Sequence, residues 1–448
     1  MRRSTPELTD GKQNLKNGRG MGRMLNLLSA IGALLLATAI LLTGNGLQAT
    51  LLSVRANIEG FPTSIIGALM ACYFGGYILG CRYNPRFIKS VGHVRTFVAL
   101  ASIASASSLT HPFIVSEIAW GVLRGVTGFC FAGMVMIIES WLNENANNSN
   151  RGRIVSTYRV IDLSATVIGN GLLATADPRG FELFALTSIL ISLALVPVAL
   201  TRSPQPQPIP TAQLNIGELF RVSQVGAVGA AMIGLANAAF WAMGPVYAQK
   251  LGYNDAATAA FMASVVIGAA ALQWPLGWLS DNIDRRLVMV GSGTLGVSAA
   301  FGQAMLGGES IVYLLALGTA FGAFSIPMFG LAAAHANDNA EPGSAVSTNG
   351  GLLLLHASGS VIGAFAGGAI MSSVGPYGVF LYIAAIYGSF TLFCLVRVLQ
   401  KDAIDPDEKT PFAPVPRSAA PTLFEIAEAD QNSDDTDNRE VTDHPESA

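Results

Sequence analysis

Six side chains suited to charge pairing, proton transfer or hydrogen bonding stand in otherwise apolar stretches of the chain: Arg124, Asp162, Asn237, Trp241, Asn349 and His356. Each is costly to hold in hydrocarbon, so together they mark a route for a polar solute or a proton. Asn237 and Trp241 are four apart and Asn349 and His356 seven apart, spacings that put each pair on one helix face. The His356 imidazole could titrate near neutral pH and so carry a proton. For these four residues the competing role is hydrogen bonding between helices. A second cluster has different chemistry. The run Gly277-Trp-Leu-Ser-Asp281-Asn-Ile-Asp284-Arg285-Arg286 offers a turn glycine followed by acids and bases able to latch facing helix ends. Glu139, with Arg86, Arg95, Arg151 and Arg153 in neighbouring segments, either adds to that latch or is solvated at an interface.

The elements that position these residues are membrane-spanning helices. Only 12% of the 448 residues are charged and 51% are hydrophobic, whereas soluble domains carry about 25% charged residues. The charges are also unevenly placed. Residues 1–24 hold 8 and residues 401–448 hold 17, leaving 30 for the 376 residues between. So little polar surface cannot cover a water-soluble core. This excludes a soluble enzyme, a nucleic-acid binder and a disulfide-stapled secreted domain. Cys72, Cys81, Cys130 and Cys394 sit in or beside apolar stretches without metal-ligand spacing, so they read as small buried hydrophobes. No metal site, cofactor or nucleic-acid partner is expected.

At about 20 apolar residues per crossing, twelve spans are expected. They cover 25–50, 63–82, 94–110, 113–141, 153–175, 180–201, 222–248, 255–280, 287–306, 310–335, 344–373 and 376–399. The first begins after 24 polar residues and outruns the apolar region of a signal peptide. This predicts an N-terminal tail (1–24), a six-helix bundle (25–201), a Pro-rich linker (202–221), a second six-helix bundle (222–400) and an acidic, disordered tail (401–448). Lys and Arg concentrate on one side: the N-tail, Arg82/Arg86/Lys89/Arg95, Arg151/Arg153/Arg159, Arg202/Arg221 and Arg285/Arg286. Only Arg55, Arg179 and Lys250 fall on the other, which predicts cytoplasmic termini. An internal repeat is visible, because Asn143-Glu144-Asn145-Ala146 and Asn337-Asp338-Asn339-Ala340 lie 194 residues apart, as do Gly169 and Gly363. Six-helix parallel repeats imply bundles related by an axis along the membrane normal. On this topology Arg124 lies ~16 Å from the outer end of its span and Asp162 ~13 Å from the inner end of the next. The two reach nearly the same depth of a ~30 Å core. They are expected to pair in at least one state, with Arg159, one turn before Asp162, as the alternative partner.

The loop Gly277–Arg286 resembles the signature G-x-L-[AS]-D-[RK]-x-[GD]-R-[RK] of the major facilitator superfamily. The first-half copy, Gly80-Cys-Arg82-Tyr-Asn84-Pro85-Arg86, has Asn in place of Asp. With Leu123-Arg124-Gly125, Glu139-Ser140-Trp141-Leu142-Asn143-Glu144 and Arg151-Gly152-Arg153, it is similar to the YcaD-type branch. The resemblance covers roughly residues 25–400. Gly359, Gly363, Gly367 and Gly368 resemble the antiporter signature, but Ala364 replaces its proline, so antiport does not follow; close helix packing is the more direct reading of these glycines. The resemblance implies an all-α membrane fold of twelve transmembrane helices in two bundles. The implied function is alternating-access secondary transport of a small molecule across the inner membrane, proton-coupled, with substrate bound near mid-bilayer in a monomer. In that scheme Arg124, Asp162, Asn237, Trp241, Asn349 and His356 form the pathway. Gly277, Asp281, Asp284, Arg285, Arg286, Glu139, Arg151 and Arg153 form the cytoplasmic gate. Met- and Phe-rich spans suit an exporter of amphipathic compounds, and Arg124 an importer of a small anion. A sensor or assembly factor on a transporter-like scaffold is the alternative of another class.

Overall fold

The computed structural model describes residues 10–144, 146, 151–200, 216–341, 344–400, 409, 410 and 412. Residues 1–9, linker residues 202–215, Asn145, the Arg151 side chain and the rest of the tail lie outside what is described. Helices dominate the described residues. The first half holds α1 (Asp10–Ile58), α2 (Thr63–Val91), α3 (His93–Thr110), α4 (Glu117–Glu144), α5 (Arg151–Leu172), α6 (Glu182–Leu193) and α7 (Leu195–Leu200). The second holds α8 (Ile216–Val222), α9 (Gln224–Lys250), α10 (Asp255–Asn282), α11 (Arg285–Leu306), α12 (Ile311–Ser325), α13 (Met328–Asp338), α14 (Ala345–Val374) and α15 (Gly378–Gln400). No strand occurs among the described residues.

Among the described residues, ten helical stretches are long and apolar enough to cross a membrane. Helices α3 and α5 occupy the other two expected spans but are more polar. The former carries Arg95 and a run of serines, the latter Arg153, Arg159 and Asp162. Helix α1 begins at Asp10, ahead of the expected residue 25. The expected span 310–335 is broken between α12 and α13 at Pro327, which has no N–H to continue the ladder. Tyr387 O–H lies 3.1 Å from the Ser325 carbonyl at this break, so a backbone acceptor near the lost turn keeps a partner. Side-chain caps open other helices. Ser223, Asn254, Asp284 and Ser310 accept the Gly226, Ala257, Arg286 and Tyr313 amides. Ile118, Val122, Val312 and Leu399 stand exposed, as lipid-facing residues do.

Glycine sets the closest crossings, and these repeat between the halves. A Cβ on Gly76 of α2 would strike the Gly125 carbonyl of α4, and one on Gly128 of α4 the Tyr73 carbonyl of α2. In the second half Gly268 of α10 meets the Thr319 carbonyl of α12, and Gly322 of α12 the Val265 carbonyl of α10. Gly76 and Gly268 are 192 apart, Gly128 and Gly322 194. Gly169 of α5 abuts the Thr43 carbonyl of α1, and its repeat partner Gly363 of α14 abuts the Leu235 carbonyl of α9. The sequence repeat is therefore a repeat of backbone contacts.

The halves meet where α2 packs on α14, α5 on α10 and α1 on α9. At the end away from the Gly277–Arg286 loop, Thr63 Oγ1 donates to the Gly368 carbonyl at 3.1 Å and Asn57 Nδ2 to Gln249 Oε1 at 3.0 Å. Gly67 and Gly368 let the two backbones touch there. One buried apolar cluster stays within α1–α7, apart from the flanking contact of Leu353. The larger one runs from α1, α2 and α4 through α9–α15.

Candidate functional site

Where α5 faces the second half, Arg159, Asp162, Leu163 and Thr166 line a narrow cavity opposite Asn237 and Trp241 of α9 and Val266 of α10. Ile326 and Phe329, at the broken turn between α12 and α13, complete its wall. Three of the six expected pathway residues are thus brought together. Asp162 Oδ2 accepts from Arg159 Nη1 at 2.6 Å, both side chains nearly buried. The rest of the Arg159 fork crosses between halves, donating through Nε and Nη2 to Gln273 Oε1 of α10 at 3.0 and 2.9 Å. Tyr387 O–H lies 2.8 Å from Asn237 Oδ1, which fixes that amide in the cavity wall.

The other three lie elsewhere. The expected Arg124–Asp162 pair is not what this conformation holds, since Asp162 takes Arg159. Arg124, 2% exposed, places its guanidinium carbon 4.4 Å from the Tyr73 ring centroid and donates from Nη2 to Met70 Sδ at 3.3 Å. An arginine on one turn of the same helix outcompetes one on another helix, because no helix has to move to bring the charges together. Asn349 and His356 do share a face, and it packs on α13. Asn349 Nδ2 donates to Asn337 Oδ1 at 3.0 Å, and the His356 ring meets Phe329 edge-on at 4.7 Å. His356 therefore backs the cavity wall instead of lining it, while Asn349 lies at the latch end.

In the loop after α10, Arg285 is the hub. It donates to Asp338 from Nε at 2.6 Å and Nη2 at 3.2 Å, and from Nη1 to Asp281 and Ser280, both at 2.8 Å. Arg286 clamps Asp284 through Nη2 at 2.7 Å and donates to the Arg397 carbonyl at 3.1 Å. Burial alone would raise the Asp284 carboxyl, but the Arg286 bonds outweigh it and hold it below the usual carboxylate range. Glu139 is fully buried and accepts from Tyr158 O–H at 3.0 Å; Arg153 is exposed. Residues 34–352 and 226–430 match the sequence profile of the Major Facilitator Superfamily.

The chain belongs to the Major Facilitator Superfamily. An MFS-type transporter of Enterobacter sp. (strain 638) is 25% identical over 374 residues, covering 82% of this chain and 94% of that one. The MFS-type transporter YcaD of Salmonella typhi matches at the same identity and coverage, so the resemblance to the YcaD-type branch holds. Among solved structures, the nucleoside transporter NupG superposes with a TM-score of 0.70 at 11% identity, covering 82% of this chain and 98% of that one. A bacterial homologue of the human lysosomal transporter Spinster, inward-facing and occupied, gives 0.64 at 14% identity, covering 90% and 96%. At these identities the likeness is one of fold.

For a facilitator, the residues that sequence reasoning passed over are telling. Arg159 was counted only as a topogenic charge and a fallback partner for Asp162. Gln273 is an uncharged amide with no motif around it. Asp338 was noticed only inside the Asn-Asp-Asn repeat. A signal for Asp338 did exist, since an acid at the end of an apolar span needs a cation nearby.

Proposed function

We propose that this facilitator is a proton-coupled secondary transporter whose small-molecule substrate occupies the cavity between α5 and α9, α10 and α13. The observation that carries this reading is the Arg159–Asp162–Gln273 group, a charge pair at the junction of the two halves that is bonded across it. Protonation of Asp162, or an anionic group of the substrate on Arg159, removes the attraction between the two side chains. Arg159 then reorients, and its bond to Gln273 is lost or remade. A binding event thereby becomes a change in how the halves fit, which alternating access requires. The twelve-helix, two-bundle arrangement, the inner-membrane location with cytoplasmic termini and the monomeric state belong to the same proposal. Contacts at Thr63–Gly368 and Asn57–Gln249 support a conformation closed at the outer end. The latch of Gly277, Asp281, Asp284, Arg285 and Arg286 would act at the cytoplasmic end, with Glu139, Arg151 and Arg153 on the opposing half.

Because the substrate class is open, purified protein is first screened by thermal shift against metabolites and drugs; a compound that binds the folded state raises the melting temperature. In proteoliposomes each hit should then drive lumenal pH change or be driven by an imposed pH gradient. Asp162→Asn, whose amide oxygen still accepts from Arg159, should keep binding and lose the pH dependence. Wild-type flux indifferent to pH would sink the coupling, and full pH dependence in Asp162→Asn would remove Asp162 from it.

A further inference from the structure

Beyond α15, Lys409, Thr410 and Phe412 return to the latch. Thr410 donates to Asp338 Oδ1 from its amide at 3.0 Å and its hydroxyl at 2.8 Å. The Phe412 amide donates to both Asp281 oxygens at 3.1 and 3.2 Å, and Arg285 Nη2 donates to the Thr410 carbonyl. Lys409 Nζ donates to the Ile283 carbonyl at 2.7 Å, a cation at the carbonyl-rich end of α10. The Phe412 ring enters a slot between α10 and α13. A Cβ on Gly277 would fall inside the ring's contact distance, and one on Gly330 would lie 3.1 Å from it.

The first half shows what this slot is without a guest. Gly80, Asn84 and Gly133 stand 197 residues before Gly277, Asp281 and Gly330. There the two glycines close directly over the Asn84 side chain, whose Nδ2 donates to the Phe129 carbonyl at 3.0 Å. The Asn84 amide thus donates within its own helix pair. Asp281 is a carboxylate with several acceptor positions, and at its equivalent place it takes a donor from the tail and one from Arg285. The departure of the first copy from the superfamily signature thus coincides, among the described residues, with a slot filled by Asn84 and Leu100 of its own half.

We propose that the groove between α10 and α13 is a peptide-binding site whose resident ligand is this chain's own Lys409, Thr410 and Phe412, and that docking holds the cytoplasmic latch open. The regulatory half of this rests on the alternating-access reading above; the docking does not. The tail occupies Asp281 and Asp338 and covers the end of α10, so a helix end of the opposing half cannot approach those groups until the tail leaves. Lys-Thr and the ring of Phe412 define the recognised pattern: a cation for the helix end, two backbone amides for carboxylates and a ring for the glycine slot.

Hydrogen exchange on the full chain in nanodiscs reads the docking. The Thr410 and Phe412 amides should exchange about tenfold or more slowly than free chain. Phe412→Ala should abolish that protection while the transmembrane peptides stay protected, and Phe412→Leu should restore part of it. Unprotected wild-type amides, or protection unchanged in Phe412→Ala, would overturn the site. The gate is read by maleimide labelling from the cytoplasmic side of Thr166→Cys in a chain lacking the native cysteines. Adding Phe412→Ala should slow that labelling severalfold as the latch closes. Loss of protection with unaltered labelling would overturn the regulatory role. A cavity that no variant ever exposes on the outer side would instead count against alternating access and leave the docking result standing.

Discussion

At the residue scale the decisive group is Arg159. Its guanidinium serves two acceptors, one on its own helix and one across the junction, so neither acceptor can change without the other being felt. Arg124 shows the contrast. Among the described residues no carboxylate pairs with it, and its charge is met by the Tyr73 ring face and a thioether, a contribution of about 2 kcal/mol when desolvated. A buried pair is expensive to break from one side and cheap to replace whole. Asp162→Leu should therefore destabilise by about 3–5 kcal/mol, because Arg159 keeps its charge in an apolar setting. The double variant Arg159→Met with Asp162→Leu should recover most of that loss in detergent melting curves. Simple additivity of the two single variants would mean that the pair is not the unit.

Among elements, α9 and α14 make a close and extensive crossing in the second half, and its cause is glycine. Gly234 of α9 lies against the His356 carbonyl, and Gly359 and Gly363 of α14 lie against the Ala231 and Leu235 carbonyls. In lipid no hydrophobic exclusion drives two helices together, so the fit of their surfaces has to. Gly234→Val forces a methyl-bearing carbon into backbone that cannot rotate away. Its cost should exceed the ~1–3 kcal/mol of ordinary overpacking and appear as lost yield and a lower melting temperature. Gly75 of α2 has nothing within 4 Å of where its Cβ would stand. Gly75→Ala should be neutral or gain up to ~1 kcal/mol from helix propensity. Equal effects at the two positions would show that helix propensity, not crossing distance, governs these glycines.

Over the whole molecule, the outer ends of the halves touch through Thr63, Gly67 and Gly368 and through Asn57 and Gln249, while the latch end is laced to the tail. The proposed topology, with the latch end in the cytoplasm, has a direct test. Tags at residue 10, within 204–212 and after residue 420 should be inaccessible from outside the cell, and a reporter at Gly252 accessible. Gly252 sits in a tight turn at φ +89° between α9 and α10, where a short insertion disturbs no packed helix. External access to the 204–212 tag would overturn the twelve-span topology, with α3 and α5 the spans to re-examine because of their polarity.

Hydropathy and the Gly277–Arg286 spacing were enough to determine a helical membrane facilitator with a repeated half. These are properties of single segments, and a lipid solvent acts on each segment separately. The cavity was half legible: Asp162, Asn237 and Trp241 announce themselves as polar groups in apolar helices, and the i, i+7 spacing of Asn349 and His356 correctly gave one shared face. Partner choice was not legible. Whether Asp162 takes Arg124 or Arg159 depends on helix rotation and crossing distance, and these are set by glycines packing on carbonyls of distant helices. Gln273 has no charge to betray it until α10 is laid against α5. The tail was read as disordered from its composition. Yet Lys409, Thr410 and Phe412 are held, because ordering so short a stretch needs only two carboxylates, a helix end and a slot between two glycines, and tertiary structure alone brings those together.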